Sequence, residues 1–505
     1  MQLDLKKLPF GQTVSRHLLF EEWDPMGKGY EKGCWLALAS ESNSMFGGVV
    51  ERAAGTIRVQ PTLDGAPVEF SAEATPAMAV LKGEGGSVRF AIDKTALLVE
   101  GDGLGLQLIV KLGHGETVTK TDDGCILNMG ATRYIIEMKK GSLSVDVSWD
   151  LIGLHSTDPV LTLTPVDGKL EAIFWDCDLT YAKYPVEDSV DAAAKKAEDA
   201  FNAFKAAVRG TNETYAYALW LGYMPMKGQT LVVGNKIGNV KAEMRNQNLA
   251  ALAFKDAEKV FDLVLSQLRL MTKGGMVPAL VTTGSIVPEA CVPLWGLVML
   301  RNADWSKIPA EKAEEMYCLL TKAIGWWEKN RSKDGEFFYA YAHESGWAHN
   351  ALLNDASPVV TPDLAGWMAA NYKALSKLAA LLGKDEAAAY AEKSAAQVEV
   401  LKSLWTGENY FCRSALDSSV KAPCTAALGL LTGILGDLLP QDIAAKLDAW
   451  QIVGFGKLMT GLLALQCAKK SAVLVAAGAE KPKAGSAAFY DPTFCAILLA
   501  LEERS

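Results

Sequence analysis

The sequence has few of the features that characterise zinc proteins, disulfide-rich proteins and nucleic-acid-binding proteins. It contains five histidines and nine cysteines, and no two cysteines are spaced as CxxC, which disfavours a structural zinc site or a disulfide framework. Acidic residues outnumber basic ones by 59 to 50, and the net charge of −9 lacks the basic excess that binding to phosphates needs. We therefore expect no metal or other cofactor, and no nucleic-acid partner.

Long apolar runs are also missing. The longest charge-free stretches, 274–288 and 422–436, are shorter than a membrane-spanning helix, and each holds three glycines. The first seven residues, MQLDLKK, lack the apolar run of a secretory signal. We expect a soluble, cytoplasmic protein without a membrane partner. The sequence does not predict an oligomeric state.

Hydrophobic residues alternate with small or polar ones through the first 183 residues. Leu104, Leu106, Leu108 and Val110 form one such series, and this spacing is typical of strands with one face on a core. Glycine-containing turn signals recur at short intervals, and no helical run interrupts them. Many short strands with frequent turns predict an N-terminal antiparallel β-sandwich over residues 1–183.

The composition changes near Pro185. Residues 184–209 are rich in Ala, Lys, Glu and Asp, and predict a helix that links two domains. Beyond it, apolar residues recur at helical spacing, most clearly from Asp363, a candidate N-cap, to Gly383, a candidate C-cap. Paired helices over 210–505 suggest a closed ring of helical hairpins. Further helices are predicted at 245–270, 308–328, 385–405, 424–436, 441–450, 454–469 and 491–503.

The stretch 339–358 has no helical periodicity and lies between strongly helical segments. Its residues 343–349, HESGWAH, hold two of the five histidines together with a carboxylate and a tryptophan. Polar and aromatic loops held between rigid elements are common places for binding and catalysis. We predict that residues 343–349 line a pocket of the helical domain, together with residues near Arg245 and Tyr490.

Several stretches of the helical half resemble motifs of a known clan. ESGW at 344–347 resembles the clan's ESGWD loop, PDLAGWM at 362–368 resembles the VDLNAxL start of the next helix, and KGGMVP at 273–278 resembles its QxxDGxIP turn. The clan is that of the six-hairpin glycosidases, with trehalase, processing α-glucosidase I and the mannosylglycerate and glucosylglycerate hydrolases. The resemblance implies an (α/α)6 toroid and a glycoside hydrolase acting on a small α-linked glycoside.

The sequence departs from the clan at the general acid. Ala348 stands where the clan has an aspartate, and only Glu480 lies in the region of the clan's general base. An inverting glycosidase needs two carboxyl groups about 6.5–9.5 Å apart, one protonated and one ionised. We predict Glu344 as the first candidate for the proton donor, Asp355 as the second and His349 as the third.

Other residues near the predicted pocket are candidates for contact with the substrate. They are His343, Trp347, Glu243, Arg245, Asp363, Tyr490 and Asp491. Each has a simpler structural role as an alternative, which is core packing for the tryptophan and helix capping for the aspartates. His343 and His349 are six residues apart, a spacing that does not place both on one helical face as metal ligands.

Two further functions stay open beside hydrolysis. A histidine-assisted lyase or isomerase could use the same scaffold, with His343 or His349 moving protons near neutral pH. A degenerate sugar-binding protein could have lost its acid at Ala348. All three readings predict a small carbohydrate as the ligand.

Overall fold

The computed structural model describes most of the chain. The described residues are 1–23, 31–38, 57–110, 112, 115–129, 132–152, 155–177, 182–234, 236, 240–282, 284–302, 304–345, 358–424, 432–447 and 490–502.

Sixteen strands make up the described part of the N-terminal half. They are β1 (Phe10–Gly11), β2 (His17–Trp23), β3 (Glu31–Leu38), β4 (Ile57–Leu63), β5 (Ala66–Pro67), β6 (Phe70–Ala74), β7 (Ala79–Gly83), β8 (Gly86–Asp93), β9 (Ala96–Asp102), β10 (Gly105–Val110), β11 (Thr117–Lys120), β12 (Gly124–Met129), β13 (Thr132–Lys140), β14 (Ser142–Asp150), β15 (His155–Thr164) and β16 (Lys169–Cys177). They form two antiparallel sheets, in the orders β1-β2-β3-β4-β10-β15-β14, with β5 beside β4, and β11-β12-β13-β16-β9-β8-β7-β6.

The two sheets share one apolar core. Leu106, Leu108 and Val110 of β10 are fully buried there, and so are Phe90 of β8 and Phe174 of β16 from the other sheet. Alternation along β10 buries the apolar face and leaves Gln107 and Ile109 partly exposed between those residues. The antiparallel β-sheet domain predicted from this alternation is confirmed.

Ten α-helices are described in the rest of the chain. They are α1 (Val190–Ala207), α2 (Glu213–Gly222), α3 (Met244–Ala251), α4 (Ala257–Leu268), α5 (Trp295–Leu300), α6 (Ala310–Asn330), α7 (Pro362–Leu381), α8 (Ala387–Ser403), α9 (Gln441–Leu447) and α10 (Pro492–Glu502). Two 3-10 segments, Ala342–Ser345 and Thr432–Leu438, accompany them. Short strands occupy the connections: β17 (Tyr223–Met226), β18 (Gln229–Val232), β19 (Lys241–Glu243), β20 (Pro278–Thr282), β21 (Ile286–Ala290), β22 (Ser332–Lys333), β23 (Glu336–Phe337), β24 (Val359–Val360), β25 (Phe411–Ser414) and β26 (Lys421–Pro423).

Helix α7 has 15 of its 20 residues buried, and its start corrects one prediction. Thr361 is the N-cap, since its side chain accepts a hydrogen bond from the Leu364 N–H, and Pro362 takes the first helical position. The prediction that Asp363 caps the helix is wrong, because Asp363 lies inside the first turn and is fully buried. Gly383 does end the helix, with a φ of +66°.

Buried amides fix how neighbouring helices meet. Asn371 of α7 accepts a hydrogen bond from the Gly296 N–H of α5 at 2.8 Å and donates to the Pro293 carbonyl at 2.7 Å. Asn248 of α3 and Gln267 of α4 are joined by their side-chain amides at 3.0 Å. A side chain at Gly296 would collide with the backbone of α7 at Ala370, so glycine permits this close approach.

These contacts arrange the described helices as an arc. The Thr432–Leu438 segment packs on α7, α7 on α5, α5 on α3, α3 on α10 and α10 on α2. The predicted toroid stays a prediction, because residues 448–489, which include the helix predicted at 454–469, lie outside the described residues. No helix in the described ranges is long and apolar enough to cross a membrane.

The β domain and the helical half meet through buried polar contacts. The Tyr217 hydroxyl of α2 lies 3.0 Å from the Pro9 carbonyl and accepts a hydrogen bond from the Gly11 N–H at 3.1 Å. The buried ammonium of Lys236 donates to the carbonyls of Gln12 and Ser15 at 3.1 and 3.2 Å. Burial lowers the pKa of Lys236 from 10.5 to about 7, because the charged form is poorly solvated there.

The pKa of Lys236 predicts how stability depends on pH. The unfolded chain keeps this proton up to the ordinary pKa of 10.5, whereas the folded chain releases it near pH 7. The unfolded state therefore binds more protons between these values, and this group makes the free energy of unfolding rise with pH through that window. In Lys236→Met, which keeps the stem but does not titrate, we expect that rise to be smaller when urea unfolding is measured at pH 6.5, 8 and 9.5.

The control is Lys120→Met, which removes an exposed lysine of β11 and should leave the pH dependence of unfolding as in the wild type. A Lys236→Met variant with the wild-type pH dependence would contradict the assignment.

Candidate functional site

The loop that the sequence singles out is closed at its base. The backbone of Tyr339 donates to the Val359 carbonyl at 3.0 Å, and the Val359 N–H donates back to the Tyr339 carbonyl at 2.9 Å. Residues 340–358 therefore leave and rejoin the helical half at one point, between the end of α6 and the start of α7. These two hydrogen bonds fix the base of the loop.

A buried ion pair fixes the first turn of this loop. Glu344, 1% exposed, lies in the 3-10 turn Ala342–Ser345. Arg331, at the C-terminal end of α6, donates to both of its carboxylate oxygens, with the shortest contact at 2.6 Å, and the Ala340 N–H donates to it at 2.7 Å. The guanidinium of Arg331 also lies 5.0 Å from the ring of Trp326. Glu344 thus joins the loop to helix α6.

A second buried carboxyl group lies where the loop ends. The Tyr339 hydroxyl donates to Asp363 Oδ2 at 3.0 Å, and both residues are fully buried. Burial raises the pKa of Asp363, and the hydroxyl groups of Thr361 and Tyr339 act in the opposite direction. Burial also raises the pKa of Tyr339 strongly, and the charge of Asp363 adds to this.

A third charged group comes from the start of α3. Arg245 donates to Glu243 Oε2 at 3.1 Å. Burial lowers the pKa of Arg245, while the negative charges of Glu243 and Asp491 raise it. Asp491 belongs to the segment before α10, where its carboxylate accepts hydrogen bonds from the N–H groups of Thr493 and Phe494 and caps that helix.

Cys291 links these groups. Burial raises the pKa of its thiol to about 12, and the charge of Arg245 lowers it. The same thiol contributes to the raised pKa of Tyr339, as does Glu344. Strand β21, which ends just before Cys291, also packs against the 3-10 turn of the loop. Cys291 therefore interacts with both Arg245 and Tyr339.

The structure thus brings together five of the residues singled out from the sequence. Glu243 and Asp491 interact electrostatically with Arg245, Asp363 and Glu344 interact with Tyr339, and the Cys291 thiol interacts with both Arg245 and Tyr339. Glu243, Arg245, Asp363 and Asp491 come from the starts of α3, α7 and α10. Sequence reasoning missed Cys291, Tyr339 and Arg331, because an isolated thiol or a single arginine carries no pattern that assigns it to a site.

Tyr490 takes a different position. Its ring meets that of Tyr215 of α2 edge-on at 6.3 Å, and its N–H donates to the Lys7 carbonyl of the β domain at 3.2 Å. Trp347, His349, Asp355 and Glu480 lie outside the described residues, and so does the side chain of His343. The pocket predicted around residues 343–349 stays a prediction. Within the described ranges, no group of three or more His, Cys, Asp or Glu residues is arranged to hold a metal ion.

Known structures superimpose on nearly the whole chain. A bacterial glucoamylase, solved with acarbose, superimposes with a TM-score of 0.55 over 98% of this chain and 94% of its own, at 10% identity. A family GH92 α-mannosidase from Bacteroides thetaiotaomicron superimposes with a TM-score of 0.53 over 98% and 82%, at 9% identity. The chain has the fold of these glycoside hydrolases. No family model and no curated protein matches the sequence.

The likeness confirms, at the level of the fold, the resemblance to glycoside hydrolases predicted from the sequence motifs. It extends through the β domain, which those motifs did not cover. At 9–10% identity it does not transfer substrates or residue roles.

The ion pair of Arg331 and Glu344 predicts a large loss of stability when one partner is removed. Arg331→Met leaves a carboxylate buried without its counter-ion, and we expect a loss of about 3–5 kcal/mol in the free energy of unfolding. Urea unfolding followed by circular dichroism measures it. The double variant Arg331→Met/Glu344→Gln should recover part of the loss, because the uncompensated charge is then gone.

Arg269 provides a matched control. It also donates hydrogen bonds to both carboxylate oxygens of a glutamate, Glu315, at 2.7 Å, but both side chains are about 40% exposed. Arg269→Met should therefore cost only roughly 0–1 kcal/mol. Equal losses in Arg331→Met and Arg269→Met would show that burial does not set the strength of the pair.

Proposed function

We propose that this chain is a cytoplasmic glycoside hydrolase that cleaves a small α-linked glycoside. One observation carries the proposal. Candidate site residues from separate sequence segments, Glu243, Arg245, Glu344, Asp363 and Asp491, interact electrostatically with Arg245, Cys291 or Tyr339, in a fold shared with a glucoamylase. Buried thiols such as Cys34 and Cys125 suit a reducing compartment.

In this proposal the helical half, 210–505, closes into an (α/α)6 toroid behind a linker at 184–209. The series of packed helices from the Thr432–Leu438 segment through α7, α5, α3 and α10 to α2 supports this proposal. The proposed substrate pocket lies at the N-terminal ends of helices α3, α5, α7 and α10, next to the loop 340–358.

The ion pair changes the order of candidates for the proton donor. A general acid must contact the leaving oxygen of the substrate, whereas both carboxylate oxygens of Glu344 are occupied by hydrogen bonds from the Arg331 guanidinium and the Ala340 N–H. We therefore place Asp355 ahead of Glu344, with His349 next. Glu480 is the proposed general base, because it is the carboxylate in the region that resembles the clan's base-bearing loop.

The remaining candidates bind the sugar. Arg245 and Glu243 offer charged hydrogen-bonding groups beside Asp491, suited to sugar hydroxyls. Trp347 supplies an aromatic face for a sugar ring, His343 a polar neighbour and Tyr490 the rim toward the β domain. Asp363, held by Tyr339, stays as a buried carboxyl behind these groups.

A sugar-binding protein without catalysis is the second candidate. The observation in its favour is Ala348, which can neither donate a proton nor carry charge at the position of the clan's acid. The two functions differ in whether any glycosidic bond is cleaved.

The test compares leaving groups. The protein is assayed on nitrophenyl α-glucoside, nitrophenyl α-mannoside and small α-linked disaccharides, and the product anomer is followed by NMR. Nitrophenolate departs without protonation, whereas a sugar alkoxide needs the acid, whose help is worth typically 10²–10⁴-fold. Asp355→Asn should therefore lower kcat on disaccharides by about that factor and affect the aryl glycosides much less, and Glu480→Gln should lower both.

Asp102→Asn, the same exchange at an exposed carboxylate of β9, is the control and should change neither activity. If the selective loss appears in Glu344→Gln or His349→Ala instead, that residue is the donor. A histidine donor without hydrolysis products would favour the lyase or isomerase reading. Sugar binding in calorimetry with no turnover on any substrate would establish the non-catalytic alternative.

A further inference from the structure

The last strand of the first sheet presents an apolar edge. Within the described residues, β14 pairs with β15 alone and ends the sheet order. Leu143 and Val145 of β14 face the core, but the next residues on the same face, Val147 and Trp149, are 39% and 51% exposed. Leu151, directly after the strand, is 79% exposed. Exposed edges of this kind template pairing with another strand.

A bulge explains why the apolar face continues into solvent. The pairing of β14 with β15 shifts between Asp146 and Ser148, where β15 carries one extra residue opposite Val147. A bulge increases the local twist, so the second half of β14 turns away from the other sheet. Strand β14 itself carries no extra residue and remains a regular edge.

The sequence of β14 complements itself. If two copies pair antiparallel with Val147 opposite Val147, then Trp149 lies opposite Val145, Leu151 opposite Leu143 and Asp146 opposite Ser148. All the apolar residues then share one face, and aromatic residues opposite β-branched ones are favourable cross-strand pairs.

The neighbouring registers lack this match. Centring the pair on Asp146 places two aspartates opposite each other, and centring it on Ser148 places Asp146 opposite Asp150. Like charges directly opposite each other destabilise a strand pair.

We propose that β14 pairs with β14 of a second copy of this chain, antiparallel and centred on Val147, so that the protein forms a two-fold symmetric dimer. The pairing adds hydrogen bonds between the two strands and covers Val147, Trp149 and Leu151. It joins the two β domains and does not involve the site in the helical half.

Sedimentation velocity tests the dimer. The wild type should sediment as a dimer that dissociates on dilution, and Trp149→Lys should raise the dissociation constant by about 100-fold, since both copies lose a large aromatic contact. Val166→Lys is the control. Val166 is 47% exposed just beyond the opposite end of β15, so this variant should leave the dissociation constant of the dimer unchanged. A monomeric wild type at every concentration, or a dimer that Trp149→Lys does not weaken, would overturn the proposal.

Cross-linking tests the register separately. In a Cys318→Ser background, which removes an exposed thiol, Val147→Cys should form an intermolecular disulfide. Its Cα atoms would face each other at about 4.5–5.5 Å, within disulfide range. Ser144→Cys places the two sulfurs six residues apart along the pair, about 20 Å, and should stay unlinked. Cross-linking of Ser144→Cys but not of Val147→Cys would overturn the register.

Discussion

The ion pair between Arg331 and Glu344 is the interaction on which the geometry of the candidate site depends. A carboxylate as buried as that of Glu344 is stable only when paired and fully hydrogen-bonded, and Arg331 with the Ala340 N–H provides this. The pair ties the 3-10 turn to the end of α6, and the Tyr339–Val359 bridge ties the other side of the loop to the start of α7. Helices α6 and α7 thus fix the position of the base of the loop.

The helices themselves are aligned by a small number of buried amides. A purely apolar contact would let α5 slide along α7, but Asn371 binds a backbone N–H and a backbone carbonyl around the start of α5, which allows one position only. The Asn248–Gln267 pair does the same for α3 and α4. Unsatisfied buried amides are costly, so these contacts hold in register the helices α3 and α7, which carry Arg245 and Asp363.

Much of the fold follows from spacing in the sequence. The alternation of Leu106, Leu108 and Val110 predicts β10 correctly, because a strand with one face on a core repeats every second residue. The start of α7 was misplaced by two residues, since Thr361, Pro362 and Asp363 are all residues that begin helices, and only the fixed φ of proline decides among them. The partner of Glu344 could not be predicted, because Arg331 lies 13 residues away across irregular backbone.

The same ion pair bears on how the loop resembles the glycosidase clan. The glutamate of the ESGW motif is present, yet its position here is explained by anchoring alone, since a loop that leaves and rejoins two helices needs a fixed first turn. Anchoring occupies both carboxylate oxygens with hydrogen bonds from Arg331 and the Ala340 N–H, whereas a general acid must reach the leaving oxygen of the substrate. With Ala348 in place of the clan's aspartate, we therefore expect the proton-donating role to lie with a residue other than Glu344, whose carboxylate orients the loop.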